Sequence, residues 1–185
     1  METEYPKVSL RELTIDDVEK RYQWCLDEEV TKHLNMPEKY PPFSKKETAK
    51  WIEMCINKTN GYEQKAIISD DGKHIGWIDF KNIDRLNKHA ELGIAIGDRS
   101  FWGKGYGLSA MKEMLDFGFS QLDLNKVWLR VELDNKKAIK SYKRIGYIEE
   151  GVLRQDRLRK GVFIDRLRMS ILRDEYIIIK KDTAN

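Results

Sequence analysis

The sequence predicts an α+β fold in which a mixed, mostly antiparallel sheet forms the centre and helices flank it. Three observations indicate this class: apolar residues alternate in several short segments, recur every three or four residues in others, and an Asp-Gly turn joins two of the alternating segments. A strand, a helix and a further strand then follow one another in the second half, which favours one parallel crossover in the sheet.

Length and composition fit a single globular domain over residues 1–185. The 185 residues, 41% hydrophobic and 35% charged, can bury a core but are few for two domains. No segment has the apolar length of a membrane span, and the first ten residues lack the apolar region of a signal peptide, so we expect a cytoplasmic protein with no membrane partner. The net charge of +3 comes from interleaved signs, and no nucleic-acid partner is expected.

The first half of the chain is predicted to contain a strand and three helices ahead of a hairpin. Residues 8–13 alternate as a strand does, and Thr14 is expected to cap the helix after it. A short helix over 30–34 follows, and the prolines after it favour an irregular segment. Ser44-Lys45-Lys46-Glu47 has the capping-box pattern, so a further helix begins there and ends at Asn60-Gly61.

A hairpin and an irregular strand follow. Residues 62–69 and 74–80 alternate, and Asp71-Gly72 between them is a strong hairpin signal, so the two strands should pair antiparallel. Residues 90–97 form the next strand, and its internal glycines indicate a bulge or a ligand close to the backbone.

The remaining elements are two helices and three strands. Amphipathic spacing over 105–121 predicts a helix, and Asn135 and Gly146 mark the start and the stop of a shorter one. The predicted strands in this half are 126–133, 147–153 and 162–172, with a charged loop over 154–161 between the last two.

Neither cysteines nor histidines show metal-ligand spacing. Cys25 and Cys55 lie in predicted helices outside any C-x-x-C pair, which indicates buried free thiols rather than a disulfide or a zinc site. No metal is therefore expected.

A glycine-rich segment carries the strongest functional signal. Residues 101–108 read FWGKGYGL and lie between a strand and the helix after it. Glycines let backbone N–H groups converge on an anion at the positive end of a helix, so a phosphate is the expected ligand. A Walker loop is excluded, because Lys104 is followed by Gly105 and not by Ser or Thr.

Two other interpretations of this segment stay open. Gly105, Gly107 and Ala110 fit the dinucleotide pattern G-x-G-x-x-A, and Glu132 follows at about the expected distance. However, residues 98–104 separate the strand from these glycines, and the hairpin earlier in the chain is unlike repeated βαβ units. A glycine-rich turn that binds no ligand is the second alternative.

The chain resembles the GNAT superfamily of N-acetyltransferases. The family signature is Q/R-x-x-G-x-G/A, and residues 102–107 (WGKGYG) match it except that Trp102 takes the Gln/Arg position. The runs ELGIAIGDRSFWGKGYG, NKKAIKSYKRIGY and MSILRDEY are similar to the Rim-type branch, which acetylates ribosomal-protein N-termini and various small amines. The resemblance covers nearly the whole chain and implies the GNAT fold and transfer of an acetyl group from acetyl-CoA.

The resemblance also implies how acetyl-CoA is bound. In similar proteins the pantetheine arm pairs with the strand before the glycine loop, which here is the backbone of Ile94, Ala95, Ile96 and Gly97. Backbone N–H groups of the loop would hold the pyrophosphate, and Lys104 would add screened charge. The loop residues implied in cofactor binding are Trp102, Gly103, Lys104, Gly105, Tyr106, Gly107 and Leu108.

A second pattern, N-x-x-A-x-x-x-Y, places Asn135, Ala138 and Tyr142 on one helix face, and Gly146-Tyr147 completes it where the family often has Gly-Phe. The resemblance implies that Asn135 contacts the pantetheine and that Tyr142 protonates the departing thiolate. The alternative for Tyr142 is a packing role that closes the helix against the sheet.

The amine must lose a proton before it attacks, and the tetrahedral intermediate needs a donor for its oxyanion. Glu91 is the candidate base, acting directly or through water, and an ordinary cross-strand charge partner is the alternative. A backbone N–H near Ile96 or Gly97 is expected to stabilise the oxyanion.

The acceptor is a primary amine, on a small molecule or a protein N-terminus, and the motifs do not identify it. Segments 35–43 and 154–161 are expected to border it, and the arginines of the second favour an acidic or phosphorylated acceptor over a polyamine. A non-catalytic acyl-CoA-binding module is the other function class, and the presence of both Asn135 and Tyr142 favours the enzyme. A homodimer is compatible with the sequence.

Overall fold

The computed structural model describes residues 5–182, which contain seven strands, six α-helices and one short 3-10 helix. The strands are β1 Val8–Glu12, β2 Glu63–Ser69, β3 His74–Asp84, β4 His89–Ile96, β5 Lys126–Glu132, β6 Ile148–Arg159 and β7 Val162–Leu172. The helices are α1 Asp17–Leu26, α2 Glu28–Thr31, α3 Lys45–Ile56, α4 Tyr106–Ser120, α5 Lys136–Ile145 and α6 Arg173–Asp182, and the 3-10 helix is Arg99–Phe101. None of the helices within residues 5–182 is both long enough and apolar enough to cross a membrane.

The chain divides into two compact units. The first unit contains the residues up to Lys81 together with Gly93–Met114. The second contains Asn82–Leu92 together with the residues from Leu115 onward. Strand β4 and helix α4 therefore each contribute residues to both units.

In the first unit the strand order is β1, β2, β3 and β4. β1 pairs antiparallel with β2, and β2 pairs antiparallel with β3, with Ala66 opposite Trp77. The amide of Ser69 donates to the carbonyl oxygen of Lys73 at 2.9 Å and closes the turn between β2 and β3. The predicted hairpin is thus confirmed.

Helices α1 and α3 supply apolar residues to the core of this unit. The predicted capping box is present at the start of α3: the Glu47 amide donates to Ser44 Oγ at 3.2 Å, and the Ser44 amide donates to Glu47 Oε2 at 2.6 Å. One buried cluster contains Leu13, Val18, Ile52, Cys55 and Ala66. Cys25 and Cys55 are buried and free, and burial raises the pKa of both thiols, as expected for unreactive core cysteines.

In the second unit the strand order is β4, β5, β7 and β6. β4 and β5 are parallel, with Ala90 opposite Val127, whereas β5 with β7 and β7 with β6 are antiparallel. A parallel pair needs a crossover connection, and α4 lies in the chain between β4 and β5. The predicted class, a mostly antiparallel sheet with one parallel crossover, is confirmed.

Helix α5 begins and ends where the sequence predicted. The side-chain oxygen of Asn135 accepts the amide hydrogen bond of Ala138 at 3.3 Å and caps the helix. Gly146 ends it with a left-handed φ of 111°. A β-carbon at Gly146 would lie 2.2 Å from Ile179 Cδ1, so this turn also requires glycine because α6 packs against it.

Thr14 does not cap α1, contrary to the prediction. The carboxylate of Asp17, in the first turn, accepts the Thr14 amide at 2.8 Å and forms two hydrogen bonds of 2.7 Å with the Arg11 guanidinium. The chain entering α1 is therefore held by the carboxylate of Asp17, inside the helix. The Thr14 hydroxyl, ahead of the helix, does not cap it.

The prediction of a charged loop over 154–161 is also wrong. β6 continues through Arg159 and pairs with β7, and Lys160 and Gly161, with left-handed φ values of 48° and 76°, form the turn. Arg157 and Arg159 both donate to the buried carboxylate of Glu132, so their charges are neutralised inside the unit and do not require a solvated loop.

Helix α6 was not predicted, although the sequence carried a signal for it. Its first turn contains Asp174 and Glu175 and its last turn Lys180 and Lys181, which complements the helix dipole. Glu175 also accepts a hydrogen bond from the amide of Leu172 at 2.9 Å.

Two helix boundaries differ from the predicted ones as well. Helix α3 ends at Ile56, before Asn60-Gly61, and α2 covers Glu28–Thr31 instead of 30–34.

Candidate active site

The glycine-rich segment lies in the first unit and leads directly into α4. Asp98 caps the 3-10 helix before it by accepting the amide of Ser100 at 3.0 Å. Gly103 and Gly105 have left-handed φ values of 72° and 92°. At Gly105 a β-carbon would also lie 2.9 Å from Tyr5 Cδ1, so backbone and neighbour both require glycine there.

The backbone N–H groups of residues 103–108 donate no hydrogen bond to any part of the chain that the structure describes. The first helical bond of α4 runs from the amide of Ser109 to the carbonyl of Gly105 at 3.1 Å. The amides before it lie at the positive end of a helix and have no intrahelical partner. Such a run of donors is suited to a phosphate group.

Gly107 differs from the two glycines before it, because it is a helical residue without a left-handed φ. A β-carbon there would lie 3.9 Å from Ile96 Cγ1 and 4.0 Å from Ile94 Cδ1. The first turn of α4 therefore faces the isoleucine side chains of β4, with room for a β-carbon between them. The structure brings these predicted cofactor residues together within the first unit.

The backbone immediately after β4 is already hydrogen-bonded. The amides of Gly97 and Asp98 both donate to the carbonyl of Ile75, at 2.9 and 3.1 Å. Since the Gly97 N–H is used in this way, it cannot donate to an oxyanion, and this half of the prediction is wrong. The Ile96 N–H stays a prediction. Gly97 itself is explained by packing, because a β-carbon would lie 2.1 Å from the Trp24 ring.

Side chains of the loop fix its conformation. The indole N–H of Trp102 donates to the carbonyl of Ile96 at 2.8 Å, so tryptophan at the Gln/Arg position ties the loop to the end of β4. The Tyr106 hydroxyl donates to Asp70 Oδ1 at 2.9 Å, and Leu108 is buried. Lys104 is exposed and forms no ion pair with the described residues. These contacts leave the loop amides, and Lys104, for a ligand.

The helix that carries the second pattern lies in the second unit. Asn135 is the cap of α5, so only Ala138 and Tyr142 share a face of the helix proper. Tyr142 is half-buried, and its hydroxyl makes no hydrogen bond within residues 5–182. Burial raises the pKa of Tyr142 to about 12. The hydroxyl therefore keeps its proton at neutral pH and is chemically able to donate it.

Glu91 is 3% exposed and lies in the second unit. Its carboxylate accepts hydrogen bonds from Arg130 Nε at 3.1 Å, Arg130 Nη2 at 2.9 Å and Asn82 Nδ2 at 2.8 Å. Arg130 lies on β5, the strand parallel to β4. The geometry is that of a cross-strand charge partner, and direct proton uptake would have to disturb the pair with Arg130.

Sequence reasoning did not find the partners of Glu91. The alternation of β5 places Arg130 and Trp128 on the same face of the strand, so the sequence pattern could have indicated where Arg130 lies. In the structure the Arg130 guanidinium lies 5.6 Å from the Trp128 ring centroid. No sequence pattern indicated the contact of Asn82 with Glu91. Asn82 lies inside β3 with a left-handed φ of 50°, which interrupts the regular alternation of the strand.

Two of the three arginines that weighed against a polyamine acceptor, Arg157 and Arg159, are paired with Glu132, whereas Arg154 is exposed and forms no ion pair with the described residues. Besides the two that bind Glu132, Arg166 donates to Asp156 Oδ2 at 2.6 Å. Arg159 also reaches Asp134 Oδ2 at 3.3 Å. Because carboxylates neutralise all of these guanidinium groups except that of Arg154, the electrostatic preference for an acidic acceptor is weakened.

Comparison with known proteins supports the resemblance. A model of the GNAT acetyltransferase domain matches residues 7–148. An uncharacterised N-acetyltransferase of Bacillus licheniformis, p20, is 33% identical over 95% of this chain and 99% of its own. The spermidine N(1)-acetyltransferase of Vibrio cholerae is 32% identical over 68% of this chain and 74% of its own.

A solved structure agrees with this assignment. The spermidine N-acetyltransferase of Vibrio cholerae in complex with CoA and spermine has a TM-score of 0.83 and 26% identity, covering 92% of this chain and 98% of that one. The dinucleotide interpretation and the non-catalytic module are thereby set aside. With the fold, the glycine loop and the similar proteins in agreement, the chain belongs to the GNAT family of acetyl-CoA-dependent N-acetyltransferases.

Proposed function

We propose that this enzyme acetylates a small polycationic primary amine of the spermidine class by direct attack on acetyl-CoA in a ternary complex. The observation that carries the cofactor part is the run of unpartnered backbone amides over 103–108. The acceptor part is supported by similarity to proteins named spermidine N-acetyltransferases and by the neutralisation of Arg157 and Arg159 on β6.

In this proposal the pyrophosphate of acetyl-CoA binds the amides of 103–108, and Lys104 adds positive charge from an exposed position. The pantetheine arm follows β4 along Ile94, Ala95, Ile96 and Gly97, next to the side chains that face Gly107. Trp102 contributes by holding the Ile96 carbonyl and thus the end of β4. Asn135 contributes its side-chain NH₂ group, since its oxygen already caps α5.

The chemistry requires two proton movements. The acceptor ammonium loses a proton, its nitrogen forms a bond to the thioester carbonyl carbon, and the C–S bond breaks to release a thiolate. Tyr142 gives its proton to that thiolate and then takes a proton from solvent. The protons that the amine nitrogen loses are released to solvent. Glu91, which is hydrogen-bonded to Arg130 and Asn82, orients a water that accepts the first proton.

Three further expectations belong to the same proposal. The whole of residues 1–185 is expected to act as one acetyltransferase domain, and the matched region 7–148 includes residues of both units. The cytoplasmic location and a homodimer stay predictions.

The acceptor class can be tested by thiol release from acetyl-CoA across a panel of amines. We expect turnover with spermidine and spermine and at least about 10-fold lower kcat/KM with aminoglycosides, amino sugars and short peptides, a ratio typical of selective transition-state binding. A preference for peptides would move the proposal to a protein N-terminus. Turnover with none of the amines would contradict the polyamine assignment.

Binding of CoA through the loop predicts a defect in Gly105→Val. Valine cannot adopt the left-handed φ of 92° and would contact Tyr5, so the amides lose their arrangement and CoA affinity should fall at least about 10-fold. Gly107→Ala is the control for folding, because its backbone is helical and its β-carbon meets only ordinary contacts. Isothermal titration calorimetry showing wild-type CoA affinity in a folded Gly105→Val protein would defeat this placement.

Proton donation by Tyr142 predicts that Tyr142→Phe lowers kcat on the order of 10²-fold, with little change in the Kd for acetyl-CoA. Phenylalanine keeps the ring and its packing, so a structural tyrosine would leave kcat almost intact. Single-turnover rates separate chemistry from product release, and melting curves establish that both proteins are folded. A wild-type chemical step in Tyr142→Phe would leave water as the proton donor.

The role of Glu91 predicts a pH-dependent defect. Glu91→Gln should lower kcat about 10-fold or more at pH 7, and the deficit should shrink at higher pH, where the free amine no longer needs a base. Asp156→Asn is the matched control, because Asp156 also lies near Arg130, at 3.7 Å from Nη1. Equal and pH-independent losses in the two variants would show that Glu91 serves only as the ion-pair partner of Arg130.

A further inference from the structure

The turn after α5 buries a hydroxyl group that the proposed mechanism does not use. Tyr147 is 3% exposed, and its hydroxyl is buried without a hydrogen-bond partner among the residues that the structure describes. Leaving a polar group unpaired in the interior is unfavourable, whereas phenylalanine would fill the same ring volume without that cost. The hydroxyl therefore calls for an explanation beyond packing.

The chain places the ring of Tyr147 beside the ring of the proposed proton donor, Tyr142. The left-handed Gly146 reverses the chain, and the Tyr147 amide donates to the Tyr142 carbonyl at 3.1 Å. The two rings lie with centroids 6.0 Å apart and planes inclined by 52°. The Tyr142 hydroxyl also has no partner within residues 5–182, so two neighbouring tyrosines each keep an unused hydroxyl.

Protonation of the thiolate is difficult for Tyr142 alone. Burial raises the pKa of Tyr142 to about 12, while a thiol has a pKa of roughly 8.5. Transfer of the proton leaves a tyrosinate in a site that solvates it poorly. A hydrogen bond donated to the tyrosinate oxygen would reduce this penalty, since such bonds to charged oxygens are strong.

We propose that Tyr147 is a positioning residue for Tyr142, whose oxygen accepts a hydrogen bond from the Tyr147 hydroxyl while Tyr142 gives its proton to the leaving thiolate. Tyr147 keeps its own proton throughout, because burial first and the neighbouring tyrosines second raise its pKa well above the usual value. The hydrogen bond forms in the catalytic complex, where such contacts tighten. This inference rests on the proposed role of Tyr142.

A double-mutant cycle tests the coupling between the two residues. Initial rates of thiol release are measured for wild type, Tyr142→Phe, Tyr147→Phe and the double variant, with the best amine from the panel. Tyr147→Phe should lower kcat about 10-fold without changing KM for acetyl-CoA, and should change kcat by less than about two-fold in the Tyr142→Phe background.

Thermal melting supplies the readout that separates this role from a structural one. Tyr147→Phe removes a buried hydroxyl without a partner, so its Tm should equal or exceed that of wild type. Tyr176→Phe is the control, since Tyr176 is another buried tyrosine of the same unit, and its kcat should stay within about two-fold of wild type.

Provided that Tyr142→Phe shows its own defect, three results would overturn the inference. The first is a wild-type kcat in Tyr147→Phe, and the second is an equal loss of kcat on adding Tyr147→Phe to wild type and to Tyr142→Phe. The third is a lower Tm or a loss of folding in Tyr147→Phe. The last would mean that the hydroxyl makes a structural bond. Wild-type kcat in Tyr142→Phe would instead remove the proton donor itself, and the role of Tyr147 with it.

Discussion

The unpartnered amides at the start of α4 are the constraint on which the cofactor site depends. A helix cannot satisfy its first N–H groups internally, and here no side chain of the described residues caps them. Gly105 is required for this arrangement, because the backbone turns into the helix through a left-handed conformation beside Tyr5. Trp102 and Tyr106 anchor the loop on either side through the Ile96 carbonyl and Asp70. The donors are thus preorganised before any ligand arrives, which lowers the entropic cost of binding.

The second unit supplies buried groups whose chemistry follows from desolvation. Burial raises the pKa of Tyr142 to about 12, so tyrosinate is disfavoured and full proton transfer from this hydroxyl is costly. Tyr147 carries a hydroxyl whose burial without a partner costs about 1–3 kcal/mol by the usual measure. A carboxylate in the same unit, Glu91, is stabilised in the opposite way, by Arg130 and Asn82. Burial thus disfavours ionisation of the two hydroxyls, whereas the buried carboxylate is satisfied by hydrogen bonds.

Charge pairing explains the largest error of the sequence analysis. A run such as RQDRLRKG has the composition of a solvated loop, and composition alone cannot reveal that a buried acid lies opposite it. Glu132, on β5, accepts from Arg157 and Arg159 and allows β6 to extend through the charged segment. The same pairing weakens the electrostatic argument against a polyamine acceptor.

The sequence by itself determined what depends on residues within about one helical turn. The capping box at Ser44, the cap at Asn135 and the stop at Gly146 were all predicted correctly, because each is a bond or a backbone state local to the chain. Only the tertiary structure decided which backbone amides and side-chain hydroxyls remain without a partner and can therefore contact a ligand or another residue. The use of the Gly97 amide by β3 and the unpaired hydroxyl of Tyr147 depend on strands and helices that are distant in sequence, and no local pattern encodes those partners.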